Sequence, residues 1–219
     1  MAHDAQLTVL HVGELVAVYP AIVSRVDPAI VAFPTRAERA TRVGEMLRDH
    51  ARECRPAHVL LTEGDIAPAI LETAERLPAD VIVMASHHPG PLRRLTRGSV
   101  AAAVVRAAHC PVLVVPPSEL QPASLSIGQI ATAVEAGGER AVSLFGVSRA
   151  RVRRLDDERV RAEALAAEGA PDVAIVSASS GAATDLLRHA HCPVLFVPSA
   201  SGTGTLNDST PHCGGARWS

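Results

Sequence analysis

AHCPVLVVP at residues 108–116 returns as AHCPVLFVP at residues 190–198, with Val114 replaced by Phe196 as the one difference. The stretches ahead of these segments correspond as well, ADVIVMAS at 79–86 and PDVAIVSAS at 171–179. Eight identities in nine positions mark an internal duplication. Each copy holds two short apolar runs bounded by proline or small polar residues, the form of a strand buried on both faces. The copies differ in what lies between their strands: His87 to His109 in the first, only Ser180 to His191 in the second.

Working outward, LTVLHV (Leu7 to Val12) and HVLLT (His58 to Thr62) read as further buried strands. Thr35 to Cys54 has helical periodicity, with Ala37, Ala40, Val43, Met46 and Leu47 on one face and Thr35 and Glu38 forming a capping box. Ile66 to Leu77 and Ser99 to Ala108 read as helices, and Glu63-Gly64-Asp65 as a turn. Strands alternating with helices predict an α/β fold with a parallel sheet. Ile130 to Val134 reads as an extra strand and Glu139 to Gly169 as mostly helix, except that Val142 to Val147 (VSLFGV) also fits a strand. The division expected is a first unit at 1–118, a shortened second unit at 124–198 and a disordered tail at 199–219 that carries Trp218.

Composition narrows the function classes. The chain has 219 residues, 47% apolar but only 2% aromatic, so the core is filled by Ala, Val, Leu and Ile. A formal charge of -2 supplies no field that draws the molecule to nucleic acid or to an anionic membrane. No apolar run approaches the roughly 20 residues of a membrane span, and Met1 to Gln6 lacks the features of a secretion signal. A cytoplasmic location is expected. Cys54, Cys110, Cys192 and Cys213 form no CxxC pair, which fits reduced thiols and no metal. No GxxxxGK loop, GxSxG elbow or HExxH is present, so a non-enzymatic role is expected.

Glu63-Gly64-Asp65 before a helix, then ADVIVMAS, LRRLTRGSV (Leu92 to Val100) and HCPVLVV together resemble the second half of a universal stress protein domain. The resemblance runs in order from Leu7 to Pro116 and more faintly from Ile130 to Pro198. It implies a Rossmann-like fold of the adenine nucleotide alpha hydrolase kind, with a degenerate second copy. In ATP-binding members of that family the loop after the fourth strand follows Gly, two residues, Gly, nine residues, Gly-Ser and wraps the phosphates. Glycines let backbone amides approach an anion, and a helix start adds unpaired N–H groups. Carried onto this chain, the cofactor-binding candidates are Ala85, Ser86, His87, His88, Gly90, Gly98, Ser99 and Val100.

The chain departs from that pattern in two ways. Ala85 and His88 stand where the first two glycines belong, and His88 puts a ring where backbone should meet phosphate. The family's first strand ends in an Asp that contacts the nucleoside, whereas this chain begins at what would be the second strand. Ile130 to Val134, followed by Glu135-Ala136-Gly137, resembles that first strand with Glu in place of Asp. It is either the second copy's own first strand or the filler of the vacant central position in the first.

The resemblance therefore implies a regulatory, stress-associated protein in which ATP or another adenine nucleotide binds weakly or not at all. The alternatives are a functional ATP-binding member and a non-binding interaction module. Any anion is expected at the helix start of Gly98 and Ser99, near Arg93, Arg94 and Arg97. The resemblance also implies pairing through the last strands, Val112, Leu113, Val114 and Val115 with Val194, Leu195, Phe196 and Val197, either antiparallel within one chain or by self-association. Each is an apolar edge that pairing would cover.

Overall fold

Apolar runs too short for helices become strands, and the amphipathic stretches between them become helices. A computed structural model describes residues 5–13, 36–51, 57–85, 99–116, 127–134, 138–146, 150–166 and 168–199. In chain order the elements are β1 (Leu7–Gly13), α1 (Arg36–Ala51), β2 (Ala57–Glu63), α2 (Ile66–Arg76), β3 (Ile82–Ala85), α3 (Ser99–Ala107) and β4 (Val112–Val115). The second half follows with β5 (Gln129–Thr132), α4 (Gly138–Ser143), β6 (Arg151–Arg154), α5 (Asp157–Ala164), β7 (Val173–Ser177), α6 (Ala183–His189) and β8 (Val194–Val197).

The result is an α/β fold with a mostly parallel, Rossmann-like sheet. Six strands run in the order β3-β4-β8-β7-β5-β6, and β1 and β2 form a separate parallel pair. Every pairing is parallel except one, where β4 meets β8 antiparallel with Val112 opposite Phe196, Leu113 opposite Leu195 and Val114 opposite Val194. The two echoed strands thus lie side by side. The duplication extends to the hydrogen bonds beside them: Ile82 N–H donates to Pro111 O and Ala174 N–H to Pro193 O, both at 2.9 Å.

Side chains on successive strand residues point to opposite faces, and the core follows this rule. Val194 and Phe196 of β8 join Val112, Val114, Ala131, Ala174 and Val176 under α3, α5 and α6. Leu195 joins Ile130, Val173 and Ile175 on the other face, against Ala141 of α4. Phe196, Leu195, Ile130 and Ile175 are fully buried. The single Val-to-Phe change within the echo therefore fills the centre of the core.

Helix α2 packs on both sheets. It contacts β1 and β2, while its Ala67, Ile70 and Leu71 lie against the main core beside Ile82 and Met84. Helix α5 is set by Asp156, whose Oδ1 accepts a 2.8 Å hydrogen bond from Arg159 N–H. This ties down one of the amides that a helix start leaves unpaired.

Two points that the sequence leaves open are decided here. The strand in the second unit's charged stretch is Arg151–Arg154, and the described residues 142–146 of the alternative strand are the end of a short helix and a turn. Val142, Leu144 and Phe145 pack as helix and turn residues against the second face, and RVRR stands exposed as the sheet's edge. Charge on an edge strand blocks pairing with other chains, so it hides the strand from an apolar-run search. The second concerns Ile130, for which two places were open: β5 pairs with both β6 and β7 and is the second unit's own first strand. The cap Thr35, the thiols Cys54 and Cys213 and the stretch 200–219 lie outside the described residues.

Candidate functional site

Open parallel sheets bind ligands outside the carboxyl ends of their strands, where the strand order reverses. In the second unit that reversal falls at β5, which has β6 on one side and β7 on the other. In the first unit the corresponding place is the side of β3 away from β4, where no described strand lies.

The residues expected at the first unit's loop are partly placed. Ala85 is the last residue of β3 and pairs with Val115 of β4. Ser99 opens the nine-residue α3, and Val100 packs half-buried against the core. Ser86, His87, His88, Gly90 and Gly98, with Arg93, Arg94 and Arg97, lie outside the described residues. Ala85 and Ser99 therefore bracket the loop, one at a strand's carboxyl end and one at a helix start.

The second unit shows what replaces such a loop when it is cut short. Ser177 ends β7, and its hydroxyl meets Ser179 Oγ at 2.9 Å and Ser199 Oγ at 3.3 Å, while Ser199 and Ser179 lie 2.6 Å apart. Ser180 Oγ donates to Asp157 Oδ2 at 2.9 Å and accepts from Ala182 N–H at 3.1 Å. Ser179 N–H reaches Ser177 Oγ, and Ser180 N–H reaches Ser177 O. These loop amides already have acceptors within the loop. At the end of β5, Thr132 Oγ1 likewise accepts from Val134 N–H at 3.2 Å.

A feature missed by sequence reasoning lies at the opposite, amino end of these strands. The Asp172 carboxylate accepts 2.8 Å hydrogen bonds from both Gly128 N–H and Gln129 N–H, which anchors the start of β5 beside β7. The signal was the Asp shared by ADV and PDV in the two copies, Asp80 and Asp172.

Away from these crevices, a groove of about 370 Å³ lies along α2, lined by Thr62, Glu63, Asp65, Glu72, Thr73 and Arg76 among others. Its three carboxylates against one guanidinium give it the wrong sign for phosphate. Cys110 and Cys192, counterparts in the echo, are both buried. Burial pushes the Cys110 thiol above its ordinary range, and the nearby Asp80 charge acts in the same direction.

With this geometry in hand, comparison with known proteins is direct. The model of the universal stress protein family matches residues 1–116. A universal stress protein of Methanocaldococcus jannaschii is 48% identical over 58 residues, which are 26% of this chain and 34% of that relative, so the match spans about a third of its length. A crystal structure of a universal stress protein from Archaeoglobus fulgidus aligns with a TM-score of 0.55 at 15% identity, covering 88% of this chain and 85% of that one. A structure from Pseudomonas aeruginosa bearing the same family name aligns at 0.52 and 13%, covering 87% and 92%. At these identities the structural likeness is one of fold.

Proposed function

Because the chain belongs to the universal stress protein family, we propose that it acts as a non-catalytic regulatory protein in stress response, with nucleotide binding weakened or lost. The observation that carries this reading lies in the second unit, whose crevice at β5 has a strand on both sides but whose loop amides turn inward to Ser177 and Ser180. The histidine in a glycine position of the first loop acts in the same direction.

The test is calorimetric titration of the full chain with ATP. The expected dissociation constant is weaker than about 10 μM, equivalent to less than about 7 kcal/mol of binding free energy. Tighter binding, abolished by Gly98→Val, would show instead that the loop after β3 still holds phosphate.

A further inference from the structure

Helix α2 presents one continuous face to the groove of about 370 Å³. Asp65, Pro68, Ala69, Glu72, Thr73 and Arg76 follow one another at spacings that keep them on one side of the helix, and all of them line the groove together with Thr62, Glu63 and Gly64.

The polar groups of this face are uncommitted. Asp65 occupies the N-cap of α2 in an extended conformation, yet its side chain makes no capping bond. The third helical residue is Pro68, which has no N–H to offer it. Among the described residues Glu72 and Arg76 likewise enter no side-chain hydrogen bond or ion pair, although a separation of four residues would let them meet. Thr73 is only 8% exposed, and its hydroxyl has no partner among the described residues. No fully buried side-chain oxygen or nitrogen of the described residues lacks a partner. The Thr73 hydroxyl is therefore the part of that side chain that reaches the groove, a donor and acceptor fixed in the wall.

Glu63, Asp65 and Glu72 outnumber Arg76, so the groove attracts cations. Its carboxylates do not converge on one point: no three of the described His, Cys, Asp and Glu residues are placed to hold a metal ion. Asp65 and Glu72 stand about 10 Å apart along the helix axis, at a rise of about 1.5 Å per residue. A ligand that satisfies both carries positive charges separated by a similar length. We propose that the groove along α2 binds a linear aliphatic polyamine, one terminal ammonium at Asp65, the other at Glu72 and the Thr73 hydroxyl, and the methylene chain over Pro68 and Ala69. The chain of spermidine spans such a distance. Arg76 lies in the last turn, where a cation complements the helix dipole, and its charge limits the ligand at that end. Polyamine binding here and nucleotide binding at the loop after β3 are independent, and either can fail alone.

The probe is spermidine, titrated by calorimetry into the full chain at low ionic strength. The expected result is one saturable site per chain, weakened at least about tenfold by Glu72→Gln or Asp65→Asn, the loss expected of a hydrogen bond to a charged group. Thr73→Val keeps charge and shape but removes the hydroxyl, so it should weaken binding, and Thr73→Ser should restore it. Putrescine, whose ammonium groups stand too close to reach both carboxylates, should bind more weakly, and Arg76→Gln should tighten spermidine binding. Glu72→Gln should leave the urea unfolding midpoint unchanged, which separates lost recognition from lost folding. Several outcomes overturn the proposal: no saturable binding, equal binding of putrescine, or binding indifferent to Glu72→Gln or Thr73→Val. Magnesium binding as tightly as spermidine overturns it too, because the groove is then an unselective acidic surface. So does a lowered midpoint in Glu72→Gln, which would show that another part of the chain already holds that carboxylate.

Discussion

Leu113 of β4 stands directly opposite Leu195 of β8, and the two are the same residue of the duplicated segment. An antiparallel pair in which each residue faces its own counterpart has a local two-fold axis through that pair. The seam between the halves is therefore isologous in form, the geometry of a symmetric dimer, built within one polypeptide.

The two leucines should nevertheless differ in weight. Leu195 is fully buried, and Leu113 is half-buried. Leu195→Ala should cost about 2–5 kcal/mol and Leu113→Ala distinctly less, since the surroundings of a half-buried site are already wet. Urea denaturation of the two variants measures the difference.

The two counterpart aspartates should differ in the same sense. Asp172→Ala removes the acceptor of two backbone amides and should cost about 1–3 kcal/mol, the range for a lost charge-assisted hydrogen bond. Asp80→Ala should fall within about 0.5 kcal/mol of the parent, as surface changes without lost partners do. Equal effects at the two sites would contradict the hydrogen bonding described for Asp172.

Cys110 should give stability a slope at high pH. Burial raises its thiol pKa in the fold, so above the ordinary thiol value of about 8.5 the unfolded chain loses a proton that the folded chain keeps. Folding stability is fully present below that value and falls as pH rises beyond it. Unfolding midpoints taken at about pH 7.5 and pH 9.5 should drop more in the parent than in Cys110→Ala.

The cap of α5 provides a local check. Asp156→Ala removes the acceptor for Arg159 N–H and should cost about 1 kcal/mol, with Asp156→Ser restoring most of it. Thermal unfolding followed by circular dichroism resolves the order of the three proteins.

The α/β class and the universal stress protein fold could be read in sequence because the strands that build them are apolar runs between prolines. β6 could not, because an edge strand is solvated and RVRR carries arginine where a central strand carries valine. The place of Ile130 could not either. An apolar strand suits either central position, and the choice rests on Asp172, a contact between residues 44 apart in the chain. At the site, Ala85 and Ser99 fall where the spacing put them, at a strand end and a helix start. The serine-lined end of β7 went unseen because no glycine or charge marks it. Its hydroxyls come from Ser177, Ser179 and Ser199, which only the pairing of β7 with β8 brings together.

Because β4 and β8 belong to one chain, their junction does not dissociate on dilution and needs no partner of equal abundance. It also releases the halves from sharing a fate. In a pair of identical subunits any change in sequence appears twice, so a trimmed loop trims both. Here the half ending at β8 alone has the shorter connection after β7, residues 180–191 against 87–109 in the other half. Each could drift towards its own task while the other held the sheet together.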